Sequence, residues 1–190
     1  IIDVNDLRKK VTATSNNYYD IVYVGRLTYQ KNPERLISVI EKIAKVNNNI
    51  KAAIVGDGDL REQLENLIRE KGLTETIHLL GYVENPLEIM KGSKIVLMTS
   101  RWEGTPMSVL EALSLGVPVV STPVDGILDL IKNNKNGYIS DDDDELAFQA
   151  LRIINDEKLR NEISETAMKE SERYNSIDNY KKILDGIYTW

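Results

Sequence analysis

Six short strand-forming runs, separated by helix-forming segments, recur along this chain of 190 residues. Most of the runs are continuously apolar over four or five residues, which is typical of parallel strands buried on both faces. Strands and helices that alternate in this way predict an α/β fold with a doubly wound, parallel, six-stranded sheet of Rossmann-like architecture. The predicted strands cover residues 21–24, 52–55, 77–80, 94–98, 117–121 and 136–140.

Helical periodicity and capping residues mark the segments between the strands. Two further helices are expected in residues 157–190, and the last carries an apolar stripe that predicts a partner surface. The stripe consists of Ile177, Tyr180, Ile183, Leu184 and Ile187. The other predicted helices cover residues 6–11, 33–44, 60–71, 86–91 and 107–115, a short one ending at 131, and one that continues through 146–153. These limits predict an entry segment at 1–18, a Rossmann-like domain at 19–174 and a C-terminal helix at 175–190.

Composition narrows the class of partner. A net charge of -6 and a pI near 5.0 argue against nucleic acid or an anionic membrane as the main partner, since both require a basic surface. The chain has no cysteine, which excludes disulfides and is compatible with a cytoplasmic location. No apolar run reaches the roughly 18 residues that a membrane span needs. The chain starts without methionine or a signal segment, so we expect a fragment of a longer protein.

Residues 100–122 read as a strand end, a loop, a helix, a tight turn and the next strand. Glu103 lies in the loop and Glu111 in the helix. Ligands of open α/β sheets bind at the carboxyl ends of strands, where helix N-termini offer free amides to a phosphate. The plainer interpretation is that Glu111 complements the helix dipole and Glu103 is a solvated loop charge. The candidate anion cradle consists of the amides of Gly104, Thr105, Met107 and Ser108.

Two other loops follow predicted strands. The loop at 25–33 contains Arg26 and Lys31, and we interpret this pair as functional because it follows a strand end in an acidic chain. The loop at 56–59 contains Gly56 and Gly58, which permit a tight turn or close approach of a ligand. A third glycine is missing, so these two form no dinucleotide fingerprint, and Gly58 is interpreted as a plain turn.

Two further features favour structural roles. His78, the only histidine, lies inside a predicted strand, where we interpret it as a satisfied structural residue. The acidic run at 141–145 precedes a helix, where carboxylates cap free amides and oppose the dipole. We therefore predict no metal site.

The stretch Glu-Gly-Thr-Pro-Met-Ser-Val-Leu-Glu-Ala at 103–112 resembles the signature of retaining glycosyltransferases of the GT-B fold, family 4 in particular. The similarity extends from about Tyr19 to Ser140 and corresponds to the carboxyl-terminal, donor-binding half of those enzymes. It implies a cytoplasmic enzyme of polysaccharide biosynthesis that transfers a glycosyl group with retention, without a metal or another cofactor. The donor would be a nucleotide-diphosphate sugar, for example a UDP- or GDP-sugar, with the base left open.

The resemblance also implies residue roles. Arg26 and Lys31 would hold the donor diphosphate and stabilise the charge that gathers on it as it departs. Glu103 would contact the donor sugar as the third catalytic residue, and Glu111 would accept hydrogen bonds from the ribose hydroxyls. Residues 81–83 would read the base, largely through backbone groups. The remaining implied donor-binding positions are Gly25, Gly56, Tyr82, Val83, Gly104, Thr105, Pro106, Met107 and Ser108.

A GT-B enzyme has two such domains with its active site between them, and the resemblance covers the second. The expected partner is therefore an N-terminal, acceptor-binding domain of the same enzyme, and any membrane contact would belong to that half. The chain alone is expected to bind the donor without transferring it. Two alternatives stay open: half of a nucleotide-sugar epimerase, for which the sequence offers no convincing acid and base, and a non-catalytic nucleotide-binding module.

Overall fold

The computed structural model describes residues 3–11 and 19–174. Six parallel strands form one sheet in the order β3-β2-β1-β4-β5-β6, as the sequence predicts for a doubly wound α/β fold. The strands are β1 (Tyr19–Val24), β2 (Ala52–Val55), β3 (Ile77–Gly81), β4 (Ser93–Met98), β5 (Val119–Ser121) and β6 (Gly137–Ile139).

Eight α-helices belong to the described residues, and each predicted helix before residue 157 has a counterpart among them. They are α1 (Val4–Lys9), α2 (Pro33–Val46), α3 (Arg61–Glu70), α4 (Pro86–Lys91), α5 (Met107–Leu115), α6 (Asp125–Leu128), α7 (Asp143–Asn155) and α8 (Glu157–Ser171). The predicted apolar stripe of the last helix lies outside the described residues. Within the described ranges, every helix is too short or too polar to cross a bilayer.

Side chains of the central strand alternate between two cores, one on each face of the sheet. Ile21 and Tyr23 pack into a core that α2, α3 and α7 cover. Val22 packs into the opposite core, which α1, α4 and α5 cover. Both faces of β1 are thus buried, which explains why its sequence is continuously apolar.

Several predicted boundaries are wrong by a few residues. The first helix begins at Val4 instead of residue 6, because the side chain of Asp3 accepts a hydrogen bond from the Asp6 amide and caps it. The helix predicted to end at 131 ends at Leu128. β5 begins at Val119 instead of residue 117, after Pro118, which has no amide to donate to a neighbouring strand.

Candidate functional site

The strand order reverses between β1 and β4. From β1 the chain continues outward through β2 to β3, and from β4 it continues outward in the other direction through β5 to β6. β1 and β4 pair directly, with Ile21 opposite Ile95. Loops that leave two such strands diverge to opposite faces and open a crevice at the carboxyl edge of the sheet, where α/β folds bind ligands. The loops in question are residues 25–32 after β1 and 99–106 after β4.

An ion pair joins these two loops. Lys31 Nζ lies 2.6 Å from Glu103 Oε1, and the two side chains are only 14% and 5% exposed. Ser100 Oγ donates a second hydrogen bond, also of 2.6 Å, to the same carboxylate oxygen. Glu103 Oε2 has no hydrogen-bond partner among the described residues, so it is left to accept a bond from a ligand. The structure thus brings together two of the three predicted catalytic residues, although 72 positions separate them in the chain.

The third predicted catalytic residue, Arg26, does not take part in this ion pair. Its side chain is exposed, and within the described residues its guanidinium makes no hydrogen bond or ion pair. The carbonyl of Arg26 is fixed, because the hydroxyl of the fully buried Tyr23 donates a hydrogen bond of 3.0 Å to Arg26 O. Burial, and secondarily the charge of Glu103, raise the pKa of Tyr23, so the phenol stays protonated and remains a donor. The backbone of Arg26 is therefore fixed, and its exposed guanidinium is available to an anion.

Gly25 is required by the same arrangement. A Cβ at this position would lie 2.8 Å from the Tyr23 hydroxyl, so a larger residue would push Tyr23 away from the loop.

The loop that follows Glu103 presents unpaired amides. Pro106 is buried and caps α5 without a side-chain hydrogen bond. Its carbonyl accepts bonds from the amides of residues 109 and 110, deeper in the helix. Two amides of the loop and two of the first helical turn have no acceptor anywhere in residues 3–11 and 19–174. They belong to Gly104, Thr105, Met107 and Ser108. Free amides at a helix N-terminus favour an anion as their partner.

A glycine that the sequence analysis did not single out supports this loop. A Cβ at Gly126, in the first turn of α6, would collide with the carbonyl oxygen of Gly104. A Cβ at Gly104 itself would meet no atom within 4 Å. Gly126 therefore lets the loop pack down, while Gly104 lies against open space on the side of the crevice.

Glu111 lies on α5 and has no hydrogen-bond or ion-pair partner among the described residues. Burial alone raises the pKa of this carboxyl above its usual value. Glu111 is thus a partly desolvated acceptor without a donor among the described residues.

The glycines after β2 pack against the loop after β1. Gly56 has φ of +132°, and a Cβ there would collide with the Gly25 carbonyl. The interpretation of Gly58 as a plain turn is incomplete, because a Cβ there would collide with the carbonyl of Leu27. Both glycines thus admit a neighbouring backbone at close range. The loop after β2 therefore packs directly against the loop that contains Arg26.

Residues 81–83 lie at the end of β3, two strands away from β1. Gly81 has φ of +70°, and its carbonyl accepts a hydrogen bond of 2.7 Å from the Gly56 amide. The side chain of Tyr82 is 81% exposed, and Val83 packs partly against the α5 side of the sheet. These three residues therefore lie at the same, carboxyl edge of the sheet as the crevice.

The two features interpreted as structural have structural partners. His78 Nδ1 lies 3.3 Å from the Tyr19 hydroxyl, with the two rings edge to face, away from the carboxyl edge. In the acidic run, Asp142 accepts bonds from the amides of Asp144 and Glu145, which confirms the predicted helix cap and lowers the pKa of Asp142.

Comparison with known proteins identifies relatives of the whole described region. A family model described as glycosyl transferases group 1 matches residues 4–170. An uncharacterized glycosyltransferase of Methanocaldococcus jannaschii is 34% identical over 172 residues, which make up 88% of this chain and 44% of that protein. The Escherichia coli UDP-Gal:alpha-D-GlcNAc-diphosphoundecaprenol alpha-1,3-galactosyltransferase is 32% identical over 190 residues, 97% of this chain and 49% of that protein. The chain thus spans about half the length of these curated relatives.

A solved structure shares the fold closely. The crystal structure of a mutant of Staphylococcus aureus TarM, in complex with fondaparinux, alpha-GlcNAc-glycerol and UDP, matches with a TM-score of 0.84 at 28% identity. The match covers 92% of this chain and 36% of that one.

Proposed function

Because the chain belongs to the glycosyl transferases of group 1, we propose that it is the donor-binding half of a retaining, metal-independent enzyme that uses a nucleoside-diphosphate sugar. Its fold is one half of a GT-B enzyme. The observation that carries the proposal is the buried pair of Lys31 and Glu103 at the switch point. The pair places a cation next to a carboxylate oxygen that has no partner among the described residues. A nucleoside-diphosphate sugar carries the matching groups, because its diphosphate is bonded directly to its sugar.

The groups proposed to bind the donor diphosphate are cations and free backbone amides. Arg26 is an available cation, and the amides of residues 104, 105, 107 and 108 lack acceptors in the described part of the chain. Together with Lys31 these groups stabilise the negative charge that gathers on the diphosphate as the bond to the anomeric carbon breaks. In the proposed mechanism they take the place of a divalent ion.

The two glutamates are assigned to the two sugars of the donor. Glu103 Oε2 accepts a hydrogen bond from a hydroxyl of the transferred sugar, while its other oxygen stays with Lys31 and Ser100. Glu111 accepts from the ribose hydroxyls, which supplies the donors that its carboxyl lacks among the described residues. Residues 81–83 read the base through their backbone, and Tyr82 and Val83 leave its identity open.

The proposal extends to the organisation of the enzyme. We assign residues 1–18 to the entry segment and 19–174 to the donor domain, while the segment predicted at 175–190 lies outside the described residues. An N-terminal domain of the same enzyme would bind the acceptor. The cytoplasmic location stays a prediction from composition. The relatives reported above are named as glycosyltransferases, so the epimerase alternative gains no support.

The ribose assignment is tested with Glu111→Gln and a 2′-deoxy nucleotide. Loss of a charged hydrogen bond is worth roughly 1.5 to 3 kcal/mol, so the variant should bind a nucleoside diphosphate about 10-fold or more weakly. The 2′-deoxy diphosphate should bind the wild type more weakly, and should lose little further affinity in the variant. Titration calorimetry of the four combinations measures the coupling.

The matched control is Glu62→Gln, which changes an exposed glutamate on α3. It should leave both affinities unchanged. Losses from Glu111→Gln and from the deoxy ligand that simply add would show that the carboxylate and the hydroxyl do not meet, and would overturn the ribose assignment.

A further inference from the structure

Arg101 connects the two loops of the crevice. It lies directly after Ser100, and its amide donates a hydrogen bond of 2.8 Å to Gln30 O. Its side chain donates from Nε to Tyr29 O at 3.1 Å and from Nη2 to Asn32 Oδ1 at 3.0 Å. The guanidinium carbon also lies 4.2 Å from the centre of the Tyr29 ring. One residue of the β4 loop thus makes four contacts with the β1 loop.

These contacts enclose Lys31 in the chain. Tyr29 and Gln30 precede it and Asn32 follows it. Asn32 has φ of 51°, a left-handed conformation that asparagine tolerates better than most residues, and its carbonyl accepts a bond of 3.0 Å from Thr99 Oγ1. The backbone on either side of Lys31 is therefore tied to the residues that lead to Glu103.

A lysine side chain needs such support to hold one position. It is a flexible four-carbon stem that ends in a point charge, and fixing it costs rotamer entropy. An arginine has a planar fork that can donate in two directions at once. Arg101 uses that fork to bond Tyr29 and Asn32, which a lysine at the same position could not bridge in the same way.

We propose that Arg101 is a positioning residue that holds the chain on both sides of Lys31, through the backbone carbonyls of Tyr29 and Gln30 before it and the side chain of Asn32 after it, and so sets Lys31 Nζ against Glu103 across the switch point. The inference rests on the proposed function in one respect, namely that Lys31 serves the donor diphosphate. Arg101 acts through Lys31 and does not itself contact the nucleotide.

The first test follows Lys31 directly and needs no ligand. Arg101→Met and Arg101→Lys are compared with wild type by the rate at which an amine-acylating reagent modifies Lys31, read by peptide mass spectrometry. Lys31 is largely buried in its ion pair, so we expect its modification to accelerate severalfold in both variants. Lys42 and Lys71 in the same sample report whether the whole chain has loosened.

The matched control is Arg35→Met. Arg35 also makes two ion pairs, with Asp141 and Asp143, but it ties α2 to the start of α7 and not to the β4 loop. It should leave the Lys31 rate unchanged. An unchanged Lys31 rate in both Arg101 variants, or an equal acceleration in Arg35→Met, would overturn the inference. If Arg101→Met fails to fold, Arg101→Lys, which keeps the charge over Tyr29, decides alone.

The second test is a double-mutant cycle for UDP affinity with Arg101→Met and Lys31→Met. Arg101→Met should weaken UDP about fivefold in the wild-type background, the effect of roughly one hydrogen bond, and less than twofold when Lys31 is already methionine. Independent losses would mean that Arg101 contacts the nucleotide itself, which contradicts the inference. If the wild type binds no nucleoside diphosphate at all, the proposed function fails instead, and the Lys31 modification rates still decide the role of Arg101.

Discussion

Glu103 and Glu111 belong to one ten-residue motif but lie in opposite electrostatic surroundings. Glu103 has Lys31 and Ser100 as partners for one oxygen. Glu111 has no partner within the described residues, and burial raises the pKa of its carboxyl. A protein that keeps a partly desolvated carboxylate without a donor gives up stability in the free state. Ribose hydroxyls would offset that loss.

The raised pKa of Glu111 determines the sign of the stability change that its substitution causes. A carboxyl whose pKa is raised on folding is most favourable to the folded state below its unfolded pKa, and loses that contribution as the pH rises through its folded pKa. Glu111→Gln should therefore raise the free energy of unfolding of the ligand-free protein at pH 7. The gain should shrink as the pH falls toward about 4, near the ordinary glutamate pKa. Urea denaturation across this pH range measures it.

Glu62→Gln provides the contrast, because Glu62 lies exposed in the first turn of α3, where a carboxylate favours the helix dipole. It should lower stability slightly at pH 7. If Glu111→Gln instead destabilises by roughly 0.3 to 1 kcal/mol, as the loss of a dipole contact would, then the interpretation of Glu111 as a ligand-binding residue is wrong.

The sequence predicts which residues belong to the candidate site better than it predicts which side chains they contact. The motif at 103–112 identifies both glutamates, and the strand-end loop identifies Arg26 and Lys31. The ion pair of Lys31 with Glu103 could not be read from either segment, since it depends on which strands are neighbours. Ser100, Tyr23 and Arg101 carry no motif signal, because their roles come from distances between loops.

α5 is the element that joins the site to the rest of the domain. Its N-terminal loop presents the free amides, and its C-terminus ends at Gly116 in a left-handed turn with φ of +69°. Val117 N donates to Ala112 O and Gly116 N to Leu113 O, the paired bonds of a Schellman cap. A Cβ at Gly116 would lie 2.7 Å from Ser164 Oγ of α8. The cap is therefore also the contact that lets α8 pack closely against α5.

Gly72 offers a matched comparison. It ends α3 with the same cap and φ of +67°, but a Cβ there would meet nothing within 4 Å. Gly72→Ala should cost about 1 to 2 kcal/mol from the left-handed backbone alone. Gly116→Ala should cost a further 1 to 3 kcal/mol or so, because the side chains of Ser164 and Met168 on α8 must shift to make room. Urea denaturation of the two variants measures the difference. Equal losses would show that the α5–α8 contact adjusts without strain.

Sequence patterns predict the elements well and their ends less well. Strand-forming runs, most of them apolar, locate all six strands, and the acidic run correctly indicates a helix cap. The errors at α1 and β5 come from local groups, namely the Asp3 cap and the missing amide of Pro118. The role of Gly58 depends on contact with a separate loop, which periodicity does not report.

The whole molecule adds what neither residues nor elements specify, the strand order. The alternation of strands and helices predicts a parallel sheet, but many orders satisfy it. The observed order β3-β2-β1-β4-β5-β6 places the loops after β1 and β4 side by side. That order creates the crevice and the Lys31–Glu103 pair. Glycosyl transfer itself is proposed for the whole protein, because the chain spans about half the length of the relatives described here.

The central claim is that this crevice binds a nucleoside diphosphate through protein cations, without a metal. The most direct test is titration calorimetry of the 190-residue chain with UDP, GDP and ADP in the presence of a chelator. At least one of them should bind, and Arg26→Ala should weaken it about 10-fold or more, the value of a charged hydrogen bond. Arg69→Ala, which removes an exposed arginine that bonds Asn66 on α3, should have no effect. Binding that is absent in chelator and restored by magnesium, or binding that Arg26→Ala leaves unchanged, would contradict the account.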